Sequence, residues 1–138
     1  RDALRARGIT PSERDYIPLP FRLEERDRLI RSLCAERIKD YTALFFASDF
    51  YAIDAVNVLF SEGISVPEDI SVVGFDDNVF AVECRPQLTT VRQNISDKAF
   101  HAVKKVMDLI AGVPTAERNI RLPVELVIRD SVKAIKPE

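Results

Sequence analysis

The chain has 138 residues, 46% of them hydrophobic and 30% charged, with a formal net charge of −2. That balance belongs to a globular domain able to bury about two-thirds of its unfolded surface. Lysine and arginine are interspersed with acids, so no basic block marks a nucleic-acid surface, and no run approaches the roughly 20 apolar residues of a membrane span.

In chain order, residues 1–7 read as the tail of a helix stopped by Gly8. A charged opening, "RDALRARG", is no signal-peptide pattern, and a start inside a helix without methionine leads to the expectation of a longer polypeptide. Residues 15–21 form an extended segment, kept out of helix by Pro18 and Pro20. A one-sided stripe of Leu29, Ile30, Leu33, Cys34 and Ile38 predicts a helix over residues 24–38. "TALFFAS", residues 42–48, is a continuous apolar run, as in a parallel strand covered on both faces. Asp49 is the expected N-cap of a helix over residues 50–62, with Ile53, Val56, Leu59 and Phe60 on one face and Gly63 as its stop.

"SVVGF" follows as a core strand, then a loop over residues 76–87 and a short "LTTV" strand. Asn94 caps a helix running to Ala111, with a core stripe of Ile95, Ala99, Ala102, Val103, Val106 and Ile110. Residues 119–129, rich in Ile, Leu and Val, make the last expected strand. Strand and helix in alternation mean βαβ units, and so an α/β fold with a doubly wound parallel sheet. Ligands of such sheets sit outside the carboxyl ends of the strands. Asp76 and Asp77 fall at one such end, Ser48 and Asp49 at another, and Phe21 at a third.

No catalytic constellation accompanies them. There is no serine elbow, no Cys/His pairing at useful spacing and no phosphate-cradling loop among only four glycines, so neither enzyme chemistry nor a cofactor or metal is expected. His101 stands without an acid–base partner, and Asn94-Ile95-Ser96 coincides with a helix start, so neither is read as functional. Cys34 and Cys84 are expected to be free thiols in a reducing cytoplasm.

"ALFFASDFYAIDAVNVLFSEGISVPEDISVVGFDD", followed by "LTTVRQ" and "LPVELVIRDS", is similar to the lactose-repressor/galactose-repressor family of bacterial transcription regulators, over nearly the whole chain. The resemblance implies the C-terminal lobe of a periplasmic-binding-protein-like type I fold. The helix over residues 95–111 would cross to an N-terminal lobe outside this chain, and operator DNA would be read by an N-terminal headpiece also outside it. It implies a cytoplasmic homodimer whose cleft takes a small polar effector, a sugar or a purine-like molecule. The alternative is a periplasmic-type sugar-binding protein of a transport system, which shares this lobe.

By the same resemblance Asp76 is the carboxylate that accepts hydrogen bonds from the ligand, a role suited to an acceptor able to take two donors at once; the competing reading is that it only closes the turn with Asp77 and Asn78. Phe21 matches an aromatic that stacks on a flat ligand face, with ordinary core packing as the competing reading. Ser48 matches a ligand-contacting polar position, Asp49 reads as a cap, and Asp77 as part of the turn after the strand. Ile53, Val56 and Cys84 fall on the family's dimer surface; the alternative for Ile53 and Val56 is core within the lobe. Ala99 replaces a glycine common in the family.

Overall fold

The computed structural model describes residues 2–114 and 119–135. Arg1, the first residue of the expected helix tail, lies outside the described residues. Four strands form one sheet in the order β1 (Ala43–Phe45), β2 (Ser71–Asp76), β3 (Thr89–Gln93) and β4 (Val124–Val127). β1 and β3 both run parallel to β2, while β4 pairs antiparallel with β3. Around them lie α1 (Asp2–Arg5), α2 (Leu23–Glu36), α3 (Asp49–Ser61), α4 (Phe80–Glu83) and α5 (Ile95–Ile110). The α/β class with a parallel-dominated sheet agrees with the sequence.

α3 lies along β2 with α2 outside it. Ala52, Val56 and Leu59 of α3 meet Val72 of β2 and Ile70 and Leu88, which directly precede β2 and β3, and Ile30 of α2 packs with Ala55 and Val58. The approach of α3 to β2 is close enough to require a glycine. A Cβ on Gly74 would stand 2.2 Å from an Asp49 carboxylate oxygen and 2.8 Å from Leu88 Cδ2.

Several local expectations are corrected. Residues 16–20 join no strand ladder: Pro18 and Pro20 each lack the N–H a ladder needs, so Phe21 does not end a sheet strand. β1 is shorter than "TALFFAS" and lies at the sheet edge, with Phe45 65% exposed. Its apolar run therefore marks a strand with one uncovered face, which continues through Val124, Leu126 and Ile128. Phe60 leaves the expected α3 stripe and is 83% exposed. No residue of α5 is buried, so its apolar stripe is not core among the described residues. Since α5 does not pack back across the sheet, the chain enters β4 from the end at which it left β3, which accounts for the antiparallel pairing.

Cys34 and Cys84 are free and half-buried, and burial pushes both thiols up. No helix among the described residues is long and apolar enough to cross a membrane.

Candidate functional site at the strand tips

β1 and β2 run parallel with Phe45 opposite Val73, so Ser48 and Asp76 come out at the same end of the sheet. Ser48, not Asp49, is the N-cap of α3: its hydroxyl accepts from Phe50 N at 3.4 Å. Asp49 is instead the first residue of the helix and is fully buried. One of its oxygens accepts from Thr90 Oγ1 and the other from Asn78 N at 2.9 Å. The expected cap is thus a tie between α3, β3 and the loop after Asp76. An extended backbone at Ser48 leaves its short hydroxyl nearest the first free amides.

Asp76 and Asp77 both adopt positive φ, 120° and 56°, which non-glycine residues rarely do. That backbone turns the two carboxylates to different partners. Gln93 Nε2 donates to Asp76 Oδ1 at 2.8 Å. Asp77 accepts from Arg92 Nε at 2.6 Å and from Arg129 Nη2 at 2.5 Å. Burial alone would push the Asp77 carboxyl up, but hydrogen bonds from Arg129 and Arg92, with their charges, outweigh it and hold the group below the usual carboxylate range. Asp77 therefore closes the turn, as one sequence reading had it, by pinning β2 to β3 and to the segment after β4.

A hollow of about 530 Å³ opens here, lined by Asp76, Asp77, Arg92, Gln93, Asn94 and Glu125 among others. Asn94 Oδ1 accepts from Asp97 N and caps α5, and Lys98 Nζ donates to Gln93 Oε1. Both donors and acceptors therefore line the wall, a mixture suited to hydroxyl groups.

Neither Phe21 nor Ser48 lines that hollow. Phe21 is 89% exposed, which removes the core-packing reading. Its carbonyl accepts from Arg26 Nη1 at 2.9 Å, and Arg26 in turn lies against Phe50 and Tyr51 in the first turn of α3. The backbone of Phe21 is thereby tied to the end of the sheet that carries Ser48 and Asp76. A second hollow, of about 310 Å³ between α2 and α3, contains none of the candidate ligand-binding or dimer residues.

At the expected dimer surface, Val56 is corrected: only 3% exposed, it belongs to the core within this lobe. Ile53 and Cys84 are half-buried against the same core. Large apolar side chains that do stand exposed on these elements include Phe60 on α3 and Val79, Phe80 and Val82 around α4.

Sequence reasoning missed Gln93 and Arg26. Gln93 ends the "LTTVRQ" motif one place after the register partner of Asp76. Arg26 sits four residues before Ile30, on the buried stripe of α2, where a charge needs a partner.

A family model for the periplasmic binding protein-like domain matches residues 1–132. A relative from Bacillus subtilis strain 168, the probable HTH-type transcriptional repressor ExuR, is 37% identical over 94 residues, which are 68% of this chain and 28% of the relative. The solved complex of transcriptional regulator CelR with cellobiose is 32% identical, with a TM-score of 0.81 over 95% of this chain and 40% of that one. The lac repressor dimer bound to operator and the anti-inducer ONPF is 28% identical, with a TM-score of 0.80 over 96% of this chain and 45% of that one. The chain thus spans less than half the length of each. It belongs to the periplasmic binding protein-like domain family, in the form carried by lactose-repressor-type (LacI/GalR) transcription regulators.

Proposed function

We propose that this chain is the ligand-sensing and dimerisation region of a bacterial LacI-type repressor, forming one wall of a cleft for a small sugar. The observation that carries the reading is the Asp76–Gln93 pair at the β2 and β3 tips, facing a hollow rimmed by polar groups. Cellobiose in the CelR complex makes a sugar the first ligand class to try. The helix–turn–helix regulators among the relatives favour this reading over a transport-type binding protein. It has the protein act in the cytoplasm, without enzymatic turnover and on operator DNA through a headpiece N-terminal to this chain. α5 packs its apolar stripe on an N-terminal lobe. Ligand held between the lobes favours one lobe arrangement, and the difference in contacts between arrangements shifts operator affinity, by about 1–3 kcal/mol for such couplings.

Two subunits associate in this reading through the exposed Phe60, Val79, Phe80 and Val82, with Ile53 and Cys84 at the margin. Val56 takes no part.

The test is calorimetric titration of cellobiose and other small sugars into the complete regulator and its Asp76→Ala variant. Loss of two charge-assisted hydrogen bonds predicts at least a roughly 100-fold weaker affinity with operator binding intact. An unchanged affinity removes Asp76 from the site.

A further inference from the structure

Arg26 is the largest fully buried side chain among the described residues, 1% exposed, and every contact it makes is specific. Its Nε donates to Asp54 Oδ2 at 2.9 Å, and Nη2 binds the same oxygen. Nη1 donates to the carbonyls of Pro20 at 3.1 Å and Phe21 at 2.9 Å. The rings of Phe50 and Tyr51 lie 5.4 and 4.8 Å from the guanidinium carbon, within cation–π range. One planar cation thus joins the segment before α2 to the first two turns of α3.

The Phe21 side chain is held by nothing comparable. It stands 89% exposed, on a segment that joins no strand ladder and carries prolines at positions 18 and 20. The path by which the fold places that ring runs through its own carbonyl to Arg26. We propose that Arg26 is a positioning residue for the effector site: by holding the carbonyls of Pro20 and Phe21 against α3, it fixes where the Phe21 ring stands outside the hollow, toward the sheet end that carries Ser48 and Asp76. This rests on the sugar-sensing reading for its consequence, tighter binding of a ligand with a flat apolar face, but not for its geometry. Lysine cannot replace it, because a point-charge ammonium lacks the fork that reaches a carboxylate on one side and two carbonyls on the other.

The test places 4-trifluoromethyl-phenylalanine at position 21 of the complete regulator and reads its fluorine resonance, with Arg26→Lys as the variant. A single narrow line is expected with arginine, and a shifted, split line with lysine, while the unfolding temperature stays within a few degrees. Should Arg26→Lys not fold, Asp54→Asn, which loosens the anchor but keeps the guanidinium, is read the same way. A line that ignores both substitutions overturns the proposal. With cellobiose as the probe, Arg26→Lys is expected to weaken affinity by about tenfold, the scale of one aromatic contact. In a Phe21→Ala background it should weaken affinity no further. A loss that persists in that background also overturns the proposal, since Arg26 would then act by another route. Wild-type protein that ignores cellobiose counts against that sugar as effector alone, and the fluorine line still decides the clamp.

Discussion

At the scale of single residues, what distinguishes this strand tip is the division of labour between two adjacent acids. Asp76 keeps most of its acceptor capacity free, while Asp77 is consumed by two arginines. The Asp77–Arg129 contact is nearly buried, whereas Arg92 is about half exposed and its share is screened by water. Asp77→Asn should therefore cost about 2 kcal/mol, between the values for exposed and buried pairs, measured by denaturant unfolding at pH 7. The folded Asp77 carboxyl lies below its unfolded value. Its contribution is thus full above the unfolded pKa of about 3.9 and is lost as pH falls through the lower folded value. The gap between wild type and Asp77→Asn should shrink on going from pH 5 to pH 3. A gap that widens there would contradict the assignment.

At the scale of elements, the site depends on how closely α3 sits on β2. Gly74 lets the helix start come within reach, and Asp49 then bridges to Thr90 and Asn78. Gly74→Ala forces its Cβ into that carboxylate and Leu88. Overpacking of this kind costs about 1–3 kcal/mol, so a lower denaturation midpoint at unchanged slope is expected. The displaced Asp49 should also loosen the turn carrying Asp76, weakening effector binding beyond what Thr90→Ala does.

A second element-scale tie holds the other end of the sheet. Ser131 is fully buried, accepts from Thr89 N at 2.8 Å and donates to the Val72 carbonyl at 2.6 Å. The "RDS" that closes the chain's last motif is therefore a clasp across β2 and β3, which no periodicity in the sequence discloses.

At the scale of the whole molecule, apolar surfaces remain uncovered among the described residues, among them the sheet face of Phe45, Val124, Leu126 and Ile128, and the stripe of α5 with Val103, Val106 and Ile110. Clustered exposed apolar side chains of this kind commonly mark interaction sites. The exposed Phe60, Val79, Phe80 and Val82 are the proposed seat of subunit association. Phe60→Asp combined with Phe80→Asp should convert the complete regulator from dimer to monomer in sedimentation, and Val56→Ala should lower stability without changing the oligomer. A dimer that survives the paired substitution would move the interface elsewhere.

How much of this was legible beforehand follows from the range of the forces involved. α2, α3, α5 and the strand at 71–76 fall within two residues of the expected boundaries, and the strand at 43–45 lies inside the expected 42–48, because apolar spacing and end signals act over a few residues. Asp76 could be singled out because an acid after a core strand is a local anomaly. Whether a stripe is buried is not local. The stripes of α3 and α5 look alike as strings, yet one lines the core and the other is exposed, because only α3 has a sheet beside it. Which acid meets an arginine 52 positions later, and that Asp49 bonds Thr90 and Arg26 bonds Asp54, were likewise decided by tertiary contact. Segment identity is written in neighbouring residues; partnership is set by packing in three dimensions, where sequence distance has no meaning.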